Sequence, residues 1–221
     1  ERPKRLGDLD DEYFSLEMWH ETNAQEDGTI ERDTKFVDKI EDWVLSGPHF
    51  FVATPLYKTP RQTCSKSSDY DPLDLTNLPA DYLPRTNYVP ACRREEYRRR
   101  MPVVPWKNKR GERKPVTELP RVIYRKMIDD SIMRTLTGAI FPSGVSHIHG
   151  AFSFAFKDVR RLVKFNALTA SVPYDFFIKT TGKPNFMDDT ARQLPLPETT
   201  DTLQNRLFSR ILLLNSLTTH Y

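Results

Sequence analysis

Apolar and polar positions alternate along this chain with two different periods, and the changes of period mark its elements. Tyr13-Phe-Ser-Leu-Glu-Met-Trp-His-Glu-Thr partly alternates and is rich in strand formers, which predicts a strand over residues 13–22. Asp27-Gly28 is a hairpin turn signal. Phe36, Val37, Ile40, Trp43 and Val44 fall at helical spacing and predict a short amphipathic helix ended by Gly47-Pro48. Residues 49–53 then read as a buried strand. Residues 58–105 show little periodicity and hold seven prolines, although Tyr70, Leu73, Leu75, Leu78, Tyr82 and Leu83 indicate that parts of this segment pack. Residues 95–100 can form one or two helical turns, cut by Pro102.

The C-terminal half is more regular. Residues 121–129 read as a strand with Val122 and Tyr124 on one face and Ile123, Arg125 and Met127 on the other. Residues 136–141 form a second strand, stopped by Pro142-Ser-Gly, and the two are close enough to pair antiparallel. Asp158 can cap a helix over residues 159–170, with Val159, Leu162, Val163 and Ala167 on a shared face, ended or kinked by Pro173. Tyr174 and Phe177 read as core, and Gln193-Leu-Pro-Leu-Pro as extended chain. A last helix begins near Thr200, with Leu203, Leu207, Ile211 and Leu214 at helical spacing.

Charge changes the picture more than composition does. Residues 85–126 hold fourteen Lys or Arg and four acids, a local balance of +10 against +3 for all 221 residues. Residues 1–42 hold fourteen acids and six bases. Such segregation makes a local positive field that phosphate backbones can meet, and Tyr88, Tyr97, Trp106 and Tyr124 supply ring faces in the same stretch. A solvated basic loop is the competing reading. Cys64 and Cys92 stand 28 residues apart without a zinc-type partner, which fits a reduced cytoplasmic setting. No apolar run approaches a membrane span. The chain starts at Glu1 and stops just after a helical pattern, so it is expected to be a fragment of a larger protein.

Enzymatic signatures are sparse. Eight scattered glycines make no nucleotide-binding loop. Thr54-Pro55-Leu56-Tyr57 follows a strand as the Asn-Pro-Pro-Tyr loop of amino-methylating DNA methyltransferases does. Thr54 lacks the carbonyl that loop needs, however, so a strand-terminating turn is the better account. His147 and His149 are two apart but are not by themselves a metal site. Asp129 with Lys126 is the best nuclease-like pairing on offer.

Ile132-Met-Arg-Thr-Leu-Thr-Gly-Ala-Ile-Phe-Pro-Ser-Gly-Val-Ser-His-Ile-His resembles Arg-Thr-Leu-Ile-x-Ala-Ile-Ile-Pro-Pro-Gly-Val-x-His, a strand-and-loop motif of DNA target-recognition domains. Thr137, Phe141 and Ser143 depart from it. A helix and Lys-containing turn follow over residues 162–183. Next comes Gln193-Leu-Pro-Leu-Pro, similar to the family's Gln-x-Pro-x-Pro step before its closing helix. Trp19-His-Glu-Thr-Asn-Ala-Gln and Gly47-Pro-His-Phe-Phe-Val add to the likeness. The family is the TaqI-like specificity domain fused behind the catalytic domain of adenine-N6 DNA methyltransferases, in type II restriction–modification and related phage-defence systems.

The resemblance implies a module that selects a site on double-stranded DNA while a catalytic methyltransferase domain of the same parent chain binds S-adenosylmethionine. This chain carries no match to that domain's catalytic or cofactor residues. On this implication Arg85, Asn87, Arg93, Arg94, Arg98, Arg99 and Arg100 are the candidate DNA contacts. Lys107, Lys109 and Arg110 are placed on phosphates, and His147 and His149 on a DNA-facing loop. The expected architecture is α+β: a twisted, mostly antiparallel sheet with long irregular Pro-rich loops and a C-terminal helical portion. It forms one recognition domain over 1–221, with an acidic part (1–46), a basic loop region (58–126) and a specificity-domain-like part (127–221). A non-catalytic protein-interaction domain of a defence complex and a metal-dependent nuclease are the alternatives.

Overall fold

The computed structural model describes residues 2–50 and 56–221. In chain order the strands are β1 (Tyr13–Leu16), β2 (Ile30–Lys35), β3 (Val44–Leu45), β4 (Lys58–Pro60), β5 (Tyr70–Pro72), β6 (Thr86–Pro90), β7 (Val103–Lys107), β8 (Arg113–Pro115), β9 (Arg121–Arg125), β10 (Gly138–Phe141), β11 (Ser146–His147) and β12 (Ala151–Phe156). The helices are α1 (Glu21–Glu26), α2 (Arg94–Arg100), α3 (Val159–Thr169), α4 (Val172–Thr180), α5 (Asp188–Ala191) and α6 (Asp201–Asn215). The fold is α+β, with one antiparallel four-stranded sheet (β1-β12-β9-β10) and one mixed four-stranded sheet (β11-β3-β6-β2).

β12 explains the layering. Its sequence, Ala-Phe-Ser-Phe-Ala-Phe, alternates small and large side chains, so the two faces of the first sheet differ in depth. Phe152, Phe154 and Phe156 join Val122, Tyr124 and Ile140 beneath α3, with Leu162 and Phe165 packed into them. Burial of one such side chain is worth roughly 1.5–3 kcal/mol, so this face anchors the helices. Ala151 and Ala155, on the other face, leave room for a second layer made by the mixed sheet and the β7–β8 hairpin. Gly138 sits directly against the Tyr124 ring; a Cβ there would lie 2.1 Å from the ring.

The helical layer is fixed at its ends. The Asp158 side chain accepts from the Arg160 N–H and starts α3; Thr200 accepts from the Leu203 N–H and starts α6. Asn215 at the end of α6 accepts from the Ile140 N–H at 2.7 Å, satisfying the outer edge of β10. The N-terminal segment is stitched to the chain before α6: Leu6 N–H donates to the Leu194 carbonyl at 2.9 Å and Leu196 N–H to the Lys4 carbonyl at 2.6 Å.

Several expectations are met. β9 and β10 pair antiparallel, with Val122 and Tyr124 on one face and Ile123 on the other, although β9 stops at Arg125, leaving Met127 exposed beyond it, and β10 begins at Gly138. α2, α3 and α6 lie close to their expected positions. Others are overturned. The strand expected over 13–22 ends at Leu16, and Glu-Thr-Asn-Ala-Gln-Glu, composed mostly of helix formers, makes α1 instead. Gly28, at φ 69°, joins α1 to β2 rather than closing a β-hairpin.

The helix expected around 36–44 is a 3-10 turn at Ile40–Asp42 followed by β3. Trp43 and Leu45 enter one core and Val44 another, so both faces of this short strand are covered and its apolar run imitates a helix. His49 lies in a 3-10 turn, Gly47–His49; residues 51–55, which include the rest of the strand expected there, lie outside the described residues. Pro173 stands in the first turn of α4, where its missing N–H is harmless. Val159, Phe177, Leu203 and Leu214 are exposed rather than packed.

Candidate nucleic-acid interface

Residues 103–115 form an antiparallel hairpin, with Val103 opposite Pro115 and Lys107 opposite Arg113. Val104 and Val116 are buried with Leu16 and Ala155, and Trp106 packs beside them, so the base of the hairpin is rooted in the core. Pro105 cannot donate to the ladder, and the register shifts across it. The tip is organised by one side chain. Asn108 Oδ1 accepts from the N–H groups of Arg110 (2.8 Å) and Glu112 (3.0 Å), and Gly111 takes φ 79° to close the turn.

Five cations project from this frame: Lys107, Lys109, Arg110, Arg113 and Lys114. All are exposed, and none has an ion pair or side-chain hydrogen bond among the described residues. Glu112, the one acid between them, accepts from Asn108 Nδ2 at 3.3 Å. Arg113 and Lys114 were not among the candidate contacts. The signal that could have found them is Asn-x-x-Gly between two β-branched segments, which marks a hairpin.

The α2 arginines are arranged differently. Arg94 pairs with Asp42 (3.2 Å) and Glu41 (3.7 Å), Arg98 with Glu118, and Arg99 with Glu96. Arg100 reaches Glu96 (2.9 Å), Asp27 and Thr29. Hydrogen bonding from Arg100, reinforced by the charge of Arg99, holds the Glu96 carboxyl below its ordinary pKa. Arg93 is exposed without such a partner among the described residues. Half-buried Arg85 lies over the Phe36 ring at 4.6 Å. Arg121, counted in the positive field by sequence, is fully buried and donates to the Val145 carbonyl; burial pulls its pKa down to about 9.

Two expected DNA contacts are interior residues. Asn87 is 6% exposed at the centre of β6, donating to Tyr70 Oη (3.1 Å) and Cys64 Sγ and accepting from Thr34 Oγ1 (2.9 Å). Its amide is thus engaged inside the fold. His147 is fully buried; its Nδ1–H donates to the Ile148 carbonyl (3.0 Å) and its Nε2 accepts from Ser153 Oγ (2.9 Å). Burial, with the nearby Arg121 charge, drops its pKa to about 3. His149 is half-buried, stacked on His20 at 4.6 Å, and accepts from the Glu21 N–H. A further histidine, His49, is fully buried and donates from Nε2 to the Arg85 carbonyl (2.9 Å); burial lowers its pKa to about 4.

A cleft of about 960 Å³ opens beside α2. Val37, Val89, Tyr97 and Met101 line its floor, with Phe36 half-exposed at the mouth. Its rim carries Glu31, Asp38, Glu41, Asp42 and Glu118 against Lys35, Arg94 and Arg98. This cleft is therefore acidic on balance, and the hairpin gives its lining only Pro115 and none of its five cations.

The nuclease-like pairing is not assembled. Lys126 pairs with Glu17 (2.6 Å), and Asp129 accepts from the N–H and hydroxyl of Ser131 as a turn cap. Among the described residues no three His, Cys, Asp or Glu side chains converge to hold a metal, and no helix is long and apolar enough to cross a membrane. No protein-family model matches the chain, and no curated protein matches it either.

Proposed function

We propose that this chain is a DNA-recognition module that binds the duplex through the β7–β8 hairpin and holds an adenine-N6 methyltransferase domain on its site. The observation that carries this reading is five unpaired, exposed cations on one rooted two-stranded ribbon. A B-DNA major groove about 12 Å wide admits such a ribbon. The Asn108–Gly111 tip is held by its own hydrogen bonds, so little ordering is lost on binding. Lys and Arg at the tip contact phosphates and fix register, and Arg110 or Arg113 is long enough to reach a guanine edge. The resemblance over residues 132–149 and Gln193-Leu-Pro-Leu-Pro supports the assignment to a specificity domain. The methyl donor, S-adenosylmethionine, belongs to the catalytic domain.

The test is selection from a randomised duplex pool at two salt concentrations, with the native chain and with Lys109→Ala/Arg110→Ala. The reading expects an enriched motif that survives the higher salt, and a salt slope smaller by about 2 in the double variant. Absence of binding at low salt, or binding indifferent to the hairpin, overturns it.

A further inference from the structure

We infer that the cleft beside α2 is a second docking site, for a short peptide segment that combines arginine or lysine with an apolar side chain. The inference does not depend on the DNA reading.

Its chemistry follows from which rim charges are already committed. Arg94 is held by Glu41 and Asp42, Arg98 by Glu118, and Lys35 by Asp33 at 2.6 Å. Glu31 and Asp38 remain exposed and have no ion pair or side-chain hydrogen bond among the described residues. Among the lining residues the rim thus offers two carboxylates without an ion pair and no such cation, so a phosphate backbone is disfavoured and a cationic group is drawn in.

The floor supplies the other half of the specificity. Val37, Val89, Tyr97 and Met101 give an apolar base, and Phe36, 53% exposed, stands at its edge with Arg85 already over its ring. A large aromatic at a cleft mouth offers contact area at low entropy cost. The volume lies at the upper end of the roughly 300–1,000 Å³ typical of ligand sites, which suits a few peptide residues better than a lone small cation. Glu31 and Lys35 of β2 and Val89 and Pro90 of β6 all line the cleft, so a segment entering it crosses the paired strands β2 and β6.

The experiment titrates the whole chain with three probes and follows amide shifts by NMR. The probes are a hexapeptide of alternating arginine and leucine, its glutamate-for-arginine counterpart, and spermidine. The expected result is saturable binding of the first peptide alone, with shifts at Val89, Met101 and Ser143. Asp38→Asn with Glu31→Gln should weaken it several-fold, and so should Phe36→Ala, while Lys109→Ala/Arg110→Ala leaves it unchanged. These positions are exposed, so an unchanged spectrum elsewhere verifies folding of each variant. Equal binding of the glutamate peptide or of spermidine overturns the inference, as does no binding of the arginine peptide, or shifts confined to the β7–β8 hairpin. A chain that takes the peptide but no DNA sinks the hairpin reading and leaves this one standing.

Discussion

Ser153 Oγ donates to His147 Nε2 at 2.9 Å, and the same oxygen lies 3.5 Å from the Arg121 guanidinium. A buried cation and a buried imidazole thus share one hydroxyl, an arrangement that holds only while His147 is neutral. His49 is likewise buried in a neutral form. Both pKa values fall on folding, to about 3 and about 4, so the unfolded chain takes up protons first. Stability is complete above about pH 6.5, the unfolded-state value, and drains as pH falls towards those folded values. At pH 5 each histidine costs about 2 kcal/mol. Urea midpoints at pH 7.5 and 5.0 measure this; His49→Gln should show the smaller drop, and an equal drop would reject the assignment.

Gly138→Ala tests the packing of β10 on β9. The added methyl would meet the Tyr124 ring, which is itself fixed by Phe154, Phe165 and Phe186 and by a 2.6 Å hydrogen bond to Thr169. The ring has nowhere to go, so the expected loss is about 1–3 kcal/mol. Thermal melting of the variant reads it directly, and an unchanged midpoint would mean that the pair can separate.

Gly111→Ala should act locally. No atom stands within 4 Å of the position a Cβ would take, but φ 79° strains an L side chain by about 1 kcal/mol. Because the strain falls on the tip, DNA affinity should drop while the global melting temperature hardly moves. Loss of both together would show that the hairpin is coupled to the core more tightly than its exposed tip implies.

The paired and unpaired arginines should separate in a salt titration. Arg94→Ala/Arg98→Ala removes cations already held by Asp42, Glu41 and Glu118, whereas Lys109→Ala/Arg110→Ala removes free ones. The slope of log K against log salt should fall by about 2 in the hairpin variant and by less in the α2 variant. The opposite order would move the DNA face onto α2.

The parts of the fold that sequence made legible carry local signals: Asp158 before α3, Thr200 before α6, and the alternation of Val122, Ile123 and Tyr124 in β9. β3 and β6 were hidden: β3 is two residues long with no polar side, and β6 lies in a proline-rich segment where Asn87 looked like a loop residue. β12 did alternate, large against small, but that contrast of size is invisible to a polar–apolar reading. At the interface, the charge excess of residues 85–126 was plain. Which cations are free was not, because Arg94 and Arg100 find partners fifty-two and seventy-three positions away.

The strand order β1-β12-β9-β10 also sets a sequence of events in time. β9, β10, β12 and α3 lie within fifty residues, so their mutual contacts close short loops and can form early. β1 must wait for β12, more than a hundred residues later, and Leu6 must wait for Leu194. Assembly is therefore expected to run outward from the middle of the chain, with the N-terminal strand docking last onto an edge that has stood open meanwhile. Pulse-labelled amide exchange during refolding should protect Val122 and Phe154 before Phe14, and the reverse order would contradict this. Until that docking, the β12 edge is the surface on which two immature chains could pair with each other.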